Sequence, residues 1–179
     1  KTTWELNRQA FMLYALVDWG DMSVTSGVSN LYEARGRLDT YARAYLAMTI
    51  AMLDRNDVRV ATLLSDINTA AITSSTGVHW EENARDWWNM NSDTRSTAIV
   101  LSAMAQLDPQ NKLNVSTVRW LMQARKADRW ETTQETAWAL IGLTDYMAAT
   151  GELKANYSYN VLVNDKKING GTVTTSNVR

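Results

Sequence analysis

The sequence has no cysteine and a single histidine, His79. These two scarcities exclude a disulfide, a thiol nucleophile and a zinc site built from cysteine and histidine within the chain. An excess of positive charge is also missing, since 18 Lys and Arg stand against 19 Asp and Glu and give a formal net charge of -1. That balance lacks the electrostatic footprint of a nucleic-acid-binding protein. No apolar run approaches the ~18 residues of a membrane span, so we expect no membrane contact by this piece itself.

The aromatic content is unusual, with eight Trp and seven Tyr but one Phe. Such amphipathic rings build cores and crevices, and their polar edges need hydrogen-bonding partners. A chain of 179 residues can form one domain that buries roughly 70% of the surface exposed by its unfolded form. The chain opens on Lys1 without a charged and apolar leader, so we expect it to be a piece of a longer protein.

Helical periodicity dominates the first 150 residues. Thr132 and Glu135 form a capping box before a helix that runs to Gly151, with Ala137, Leu140, Ile141 and Thr144 predicted to face neighbouring helices. The same spacing rules predict six earlier helices, over 4–19, 30–36, 40–56, 58–72, 93–108 and 112–126. Between the first two of these helices, residues 27–29 are predicted to be a loop.

The helical period lapses between residues 73 and 91. The runs 78–81 and 86–89 are predicted to pair as a β-hairpin. After Gly151 the period changes to two, with Tyr157, Tyr159, Val161 and Val163 on one face. A turn at residues 164–165 and a second strand over 168–174 complete a short C-terminal β segment.

One pattern occurs twice along the chain. Trp80-Glu81 precedes a helix that contains Ala98, and Trp130-Glu131 precedes a helix that contains Ala137. One helix pair per repeat indicates stacked helical hairpins, because a single pair cannot bury its own apolar face.

Three segments, 77–81, 118–121 and 130–140, stand in an order that resembles the alpha-2-macroglobulin and complement thioester-protein family, and most closely its bacterial members. The resemblance implies a mainly α fold, a partial α/α toroid of terpenoid-cyclase-like helix pairs with a short C-terminal β segment. Residues 1–153 would be the C-terminal half of the thioester domain. Residues 154–179 would begin the following macroglobulin-like β-sandwich domain.

The resemblance implies a bacterial endopeptidase inhibitor that traps proteases. In that family, cleavage by a protease exposes a thioester between the Cys and Gln of a Cys-x-Glu-Gln motif, which a lysine amine then attacks. Gln134-Glu135 follows Thr133 and cannot replace that motif, so any thioester residue is expected upstream of Lys1. The family's acyl-accepting histidine lies ahead of a helix resembling residues 4–19, so His79 does not inherit its role.

On this interpretation the piece is not an enzyme and carries no catalytic, cofactor-binding or metal-binding residue. Its partners in the full-length protein would be target proteases and neighbouring macroglobulin-like domains. The expected location is periplasmic or extracellular, with or without a membrane anchor in the full-length protein.

Several residues have both a functional and a structural interpretation. His79 is interpreted as a structural imidazole in preference to a catalytic base. Glu81, Glu82 and Asp86 are interpreted as a solvated loop in preference to a glycosidase-like acid pair. Trp87 and Trp88 could stack on carbohydrate or clasp a neighbouring domain, but we favour the interpretation that they plug the mouth of the helical ring.

Two further groups have ordinary interpretations. The basic residues Arg119, Arg125, Lys126 and Arg129 could form a docking patch, but the interleaved Asp128 and Glu131 favour a solvated face. The methionines Met104, Met122 and Met147 are predicted to fill the core.

Two alternatives to the inhibitor fragment stay open from the sequence. One is a toroidal carbohydrate-active or cyclase-like enzyme, against which stand the missing Asp-rich motif and the missing zinc ligands. The other is a helical-repeat scaffold that binds a partner along a concave face. If the piece is half of a ring, its exposed apolar helix faces should make it self-associate.

Overall fold

The computed structural model describes residues 1–82, 84, 86–154 and 156–177. They divide into two compact units, a helical unit (Lys1–Tyr146) and a terminal unit (Met147–Arg179). The described residues form seven α-helices and two β-hairpins: α1 (Thr3–Asp18), α2 (Thr25–Glu33), α3 (Thr40–Leu53), α4 (Val58–Thr69), β1 (Ile72–Ser74), β2 (Gly77–His79), α5 (Asp93–Leu107), α6 (Asn114–Ala124), α7 (Thr133–Thr150), β3 (Tyr157–Val163) and β4 (Lys166–Val173). The predicted fold class, a mainly α partial toroid with a short C-terminal β segment, is confirmed.

The helices of the helical unit alternate between two layers. In the first layer α1 packs on α3 and α3 on α5, while α7 approaches α5. In the second layer α2 packs on α1, α4 on α3 and α6 on α5. This alternation is the packing of helix pairs in an α/α toroid, and it gives α3 and α5 the most buried positions.

The helices α7 and α5 cross at very short range. A Cβ added at Gly142 would lie 2.5 Å from the carbonyl oxygen of Ala98. Only a residue without a side chain allows the two backbones to come this close. Around this crossing a second, smaller core forms from Leu121, Trp130 and Ala139.

The predicted helix starts are largely confirmed by their caps. The amide of Glu135 donates to the hydroxyl of Thr132 at 3.1 Å, and the amide of Thr132 donates to the Glu135 carboxylate at 3.1 Å, which completes the capping box. The amide of Arg59 donates to the Asp57 carboxylate at 2.9 Å at the start of α4. Ser92 caps α5.

The tryptophans of the predicted repeat occupy equivalent positions. The Trp80 indole N–H donates to the carbonyl of Ile67 in the last turn of α4, at 2.8 Å. The Trp130 indole N–H donates to the carbonyl of Leu121 in the last turn of α6, at 2.9 Å. In both repeats the tryptophan therefore satisfies a carbonyl at the end of a second-layer helix.

Two local predictions are wrong. Residues 27–29, predicted as a loop, lie inside α2. Residues 78–79 do pair in a hairpin, but their partner is β1, with Thr73 opposite Val78, and residues 87–89 form a single 3₁₀ turn. This hairpin requires glycine at position 77 for two reasons. Its φ of +137° is a conformation that other residues rarely adopt, and an added Cβ would lie only 2.9 Å from the Cβ of Trp120.

The predicted core position of Met122 in α6 and the predicted packing face of α7 also need correction. Val115 and Met122 of α6 are exposed, and its buried residues are Asn114, Thr117 and Leu121. Burial of Thr117 is possible because its hydroxyl donates to the carbonyl of Leu113 at 2.9 Å. All four residues predicted to face neighbours on α7, Ala137, Leu140, Ile141 and Thr144, are exposed.

The terminal unit contains the predicted hairpin. β3 and β4 pair antiparallel, with Tyr157 opposite Val173, through a turn at Asn164 and Asp165. Both turn residues have positive φ, as a two-residue type I′ turn requires. The assignment of residues 154–179 to a following β domain stays a prediction.

Candidate functional site

The first feature of the site is a carboxylate at the start of α3. Glu82 accepts hydrogen bonds from the backbone amides of Thr40 at 3.1 Å and Tyr41 at 3.3 Å. Its Oε1 also accepts from the hydroxyl of Ser96 on α5, at 2.8 Å. Asp39 occupies the N-cap position of this helix, but its side chain makes no cap bond. Glu82 supplies the cap from a distant loop and joins α3 to α5.

Asp86 is the second carboxylate of the same loop, and it is buried. Its Oδ2 accepts from the Tyr41 hydroxyl at 3.0 Å, from the Asn7 amide at 3.3 Å and from the Asn89 side chain at 2.5 Å. Its Oδ1 accepts from the backbone amide of Asn89 at 3.1 Å. The Asn7 amide nitrogen also donates to Asp39 at 2.7 Å, so this network joins α1, α3 and the loop.

The electrostatic setting of this network raises several pKa values. Burial raises the pKa of Glu82 to about 7, and the nearby charge of Asp39 adds to the effect, although three hydrogen bonds oppose it. Burial raises the pKa of Asp39 as well, with Asp86 as a further cause. The pKa of the Tyr41 hydroxyl is raised by burial and by the adjacent Asp86 carboxylate. The hydroxyl of Tyr41 is therefore held as a hydrogen-bond donor.

Beside the carboxylate network lies a groove of about 450 Å³ between α1 and α7. Tyr41 of α3 and Arg95 of α5 lie at its base. Phe11 of α1 and Trp138 of α7 border it, and the rings of both lie 5.4 Å from that of Tyr45. We call this cavity the Arg95 groove.

Trp88, one of the two tryptophans singled out in the sequence, lies at the edge of this groove. Trp88 stacks on Trp4 of α1 with ring centroids 5.5 Å apart, and it lines the groove. Trp87 and Trp88 both keep most of their surface exposed. Trp88 therefore packs against α1 and forms part of the groove wall, while the prediction that the two tryptophans plug the mouth of the ring stays a prediction.

The three acidic candidates do not converge on a common point in solvent. Glu81 pairs with His79. Glu82 accepts backbone hydrogen bonds at the start of α3, and Asp86 accepts hydrogen bonds within the polar network. The prediction that Glu82 and Asp86 belong to a solvated loop is therefore wrong, because both accept hydrogen bonds that cap or connect helices.

His79 has a structural environment. Its ring stacks on Trp120 with centroids 4.6 Å apart and planes inclined by 2°, and its Nε2 lies 2.9 Å from a carboxylate oxygen of Glu81. The ring thus anchors β2 to α6.

The basic candidates make surface contacts. Lys126 pairs with Glu131 at 3.0 Å, and both side chains are exposed. Arg125 lies over the Trp130 ring at 5.7 Å. Exposed pairs of this kind contribute little to stability.

The methionines are split between core and surface. Met104 is fully buried, as predicted, and Met147 is partly buried. Met122 is exposed, so its assignment to the core is wrong. The reason is its position on the solvent side of the second-layer helix α6.

Sequence analysis missed Asn7 and Arg95 as parts of the site. Asn7 is a buried polar residue on the otherwise apolar buried face of α1, and Arg95 is a buried charged residue in the first turn of α5. A polar residue in a buried stripe needs partners, and this was the available signal. Among the described residues, no group of three His, Asp or Glu side chains is arranged to hold a metal ion.

Comparison with known proteins identifies the family. The family model described as the A-macroglobulin TED domain matches residues 6–146. No curated protein matches the chain. The matched segment coincides with almost all of the helical unit, where the helix pairs and their repeated tryptophans lie. The chain therefore belongs to the thioester (TED) domain family of the alpha-2-macroglobulin and complement proteins.

Proposed function

We propose that this chain is a non-catalytic scaffold within an alpha-2-macroglobulin-like endopeptidase inhibitor that traps proteases. The family match over residues 6–146 is the observation that carries this proposal. The amino-acid sequence of residues 132–140 resembles bacterial members most closely, which favours an inhibitor of the bacterial cell envelope, located in the periplasm or outside the cell. Its partners would be target proteases and neighbouring macroglobulin-like domains.

The engagement of the acidic residues supports a scaffold without catalysis of its own. A general acid or base must reach a reacting atom, and its pKa must suit the proton transfer. Burial raises the pKa of Glu82 to about 7, but its oxygens accept bonds from Thr40, Tyr41 and Ser96. Asp86 accepts four hydrogen bonds from protein groups. Both carboxylates are therefore occupied in holding helices.

The chain cannot provide the sulfur of a thioester, because it has no cysteine. We propose that it positions other parts of the protein, with the α/α toroid as the rigid element. The described residues contain no helix with the length and hydropathy needed to cross a bilayer.

The proposal is tested on the full-length protein that contains this chain. Active endopeptidases are mixed with it, and complexes are separated by size under native and denaturing conditions. A protease inactivated beforehand at its active site is the control, since it cannot cleave the inhibitor. We expect the active protease alone to be captured, and failure to capture or inhibit any of a mechanistically diverse set of proteases would refute the trapping function.

The absence of catalysis is tested on the chain itself. We expect no hydrolysis of oligosaccharides and no cyclisation of prenyl diphosphates. Turnover that is lost in Asp86→Asn but retained in the exposed variant Glu131→Gln would instead support the enzyme alternative.

A further inference from the structure

The Arg95 groove combines apolar walls with two positive charges. Arg8 and Arg95 both line it, together with Phe11, Met12 and Trp138. No Asp or Glu is among the described residues that line it. The groove is therefore positively charged at its surface, although carboxylates lie in the layer behind it.

Arg95 is buried without a counter-ion. Its side chain is only 6% exposed, and it forms no ion pair among the described residues. Its guanidinium lies 5.3 Å from the centre of the Tyr41 ring. Its hydrogen bonds, to Asn91 at 3.4 Å and to the hydroxyl of Tyr45 at 3.5 Å, are long and go to neutral groups. Its Nε has no partner in the described part of the chain.

The nearby carboxylates do not neutralise the two arginines directly. Asp86 and Glu82 accept their hydrogen bonds from neutral donors, which are amides and hydroxyls. Arg8, at the rim, likewise donates to neutral oxygens of Asn89 and Trp88, each at 3.4 Å. A buried guanidinium is normally paired with a carboxylate, because the loss of hydration is otherwise uncompensated. The arrangement thus leaves both cations with capacity for an external anion.

The apolar surface continues beyond the groove along α1. Phe11, Met12 and Leu16 are exposed by 43%, 55% and 44%. Such a run is longer than the body of a small organic acid and matches the apolar side chains of an extended or helical segment.

We propose that the Arg95 groove binds a polypeptide segment that presents one carboxylate between apolar side chains. The carboxylate takes the place of the missing counter-ion at Arg95 and Arg8. A planar guanidinium can hold a carboxylate through two parallel hydrogen bonds, which gives both affinity and orientation. The flanking apolar side chains cover Phe11, Met12 and Trp138.

The test uses a peptide of sequence Ser-Leu-Ala-Glu-Leu-Ala-Ser, blocked at both ends so that Glu carries its only charge. The matched peptide has Gln in place of Glu. Binding to the chain is followed by calorimetry and by the change in total tryptophan emission, to which Trp88 and Trp138 in the groove contribute. We expect the Glu peptide to bind at least about tenfold tighter than the Gln peptide, and added salt to reduce that preference.

Two variants locate the site. Arg95→Gln should abolish the preference for Glu, whereas Arg119→Gln, at an exposed position of α6, should keep it. If Arg95→Gln fails to fold, as judged by circular dichroism, the rim variant Arg8→Gln decides, and it should lower the preference at least about threefold.

Equal affinity for the two peptides, or a preference that survives in both Arg95→Gln and Arg8→Gln, would overturn the proposal. A third ligand, 3-phenylpropanoate, distinguishes the source of the carboxylate. Tighter binding of this small acid than of the Glu peptide would overturn the assignment of a polypeptide occupant.

Discussion

The indole N–H of Trp80 and the carbonyl of Ile67 form a buried hydrogen bond of 2.8 Å. The pair Trp130 and Leu121 repeats it one helix pair later, at 2.9 Å. The backbone amide of each tryptophan donates to a threonine of the following first-layer helix, Trp80 to Thr97 and Trp130 to Thr136. Each tryptophan therefore connects the end of one helix to the next helix of its repeat.

Replacement of either tryptophan by phenylalanine should destabilise the helical unit. Trp80→Phe and Trp130→Phe keep an aromatic ring but remove the indole N–H that donates to a backbone carbonyl, and each should lower the free energy of unfolding by about 1–3 kcal/mol. Urea unfolding followed by circular dichroism measures this. Trp19→Phe is the control, because Trp19 is 91% exposed and its replacement should change stability by less than about 0.5 kcal/mol. Equal effects of the buried and exposed replacements would contradict the assigned role.

Glu82 should make stability depend on pH. Burial raises its pKa in the folded protein to about 7, from the value of 4.5 that is ordinary for a glutamate. A raised acid pKa means that the folded state binds the proton more tightly. Its contribution is therefore complete below pH 4.5 and is lost as the pH rises through 7.

The variant Glu82→Gln tests this dependence. Between pH 4.5 and pH 7 the wild type should lose up to ~3 kcal/mol more unfolding free energy than Glu82→Gln, because the amide does not titrate. Urea unfolding at several pH values gives the difference, in which the contributions of other titrating groups largely cancel. Parallel pH profiles of the two proteins would show that Glu82 titrates normally.

Local signals in the sequence predicted the fold best where a cap or turn has a specific chemistry. The capping box of Thr132 and Glu135 and the turn at Asn164 and Asp165 lie where predicted. Both features depend on residues close in sequence, so periodicity and turn chemistry were sufficient to find them.

The buried face of α7 could not be chosen from periodicity. Its apolar side chains occur around most of the helix, and Leu140 and Ile141 are exposed while Ala139 and Gly142 are buried. The close crossing of Gly142 over Ala98 fixes the rotation, and this contact joins distant parts of the chain.

The structural roles of the acidic residues in the site were missed for a related reason. Glu82 and Asp86 were assigned to a solvated loop because their partners lie far away in sequence. Glu82 is 42 residues from Thr40, and Asp86 is 79 residues from Asn7. Such partners become visible only when the helices are assembled.

Gly142→Ala should be destabilising, although alanine normally favours a helix. The new Cβ would lie 2.5 Å from the Ala98 carbonyl oxygen, so α5 and α7 must separate, at a cost of about 1–3 kcal/mol. Thermal unfolding measures the effect. Gly36→Ala is the matched control, since a Cβ at Gly36 meets nothing within 4 Å, and its stability should change by less than about 0.5 kcal/mol. A neutral Gly142→Ala variant would show that the two helices do not meet as described.

The turn of the terminal hairpin provides the last prediction. Asn164 and Asp165 have φ values of 48° and 63°, a conformation that glycine adopts more readily than aspartate. Asp165→Gly creates the Asn-Gly pair favoured by type I′ turns and should stabilise the hairpin by about 0.5–1 kcal/mol. Asn164→Val should open it, because a β-branched residue disfavours positive φ. Amide hydrogen exchange in β3 and β4 should become slower in the first variant and faster in the second. Since two strands alone are marginally stable, this turn supplies a large part of the hairpin's own stability, and identical exchange in both variants would show that the hairpin is held by other contacts.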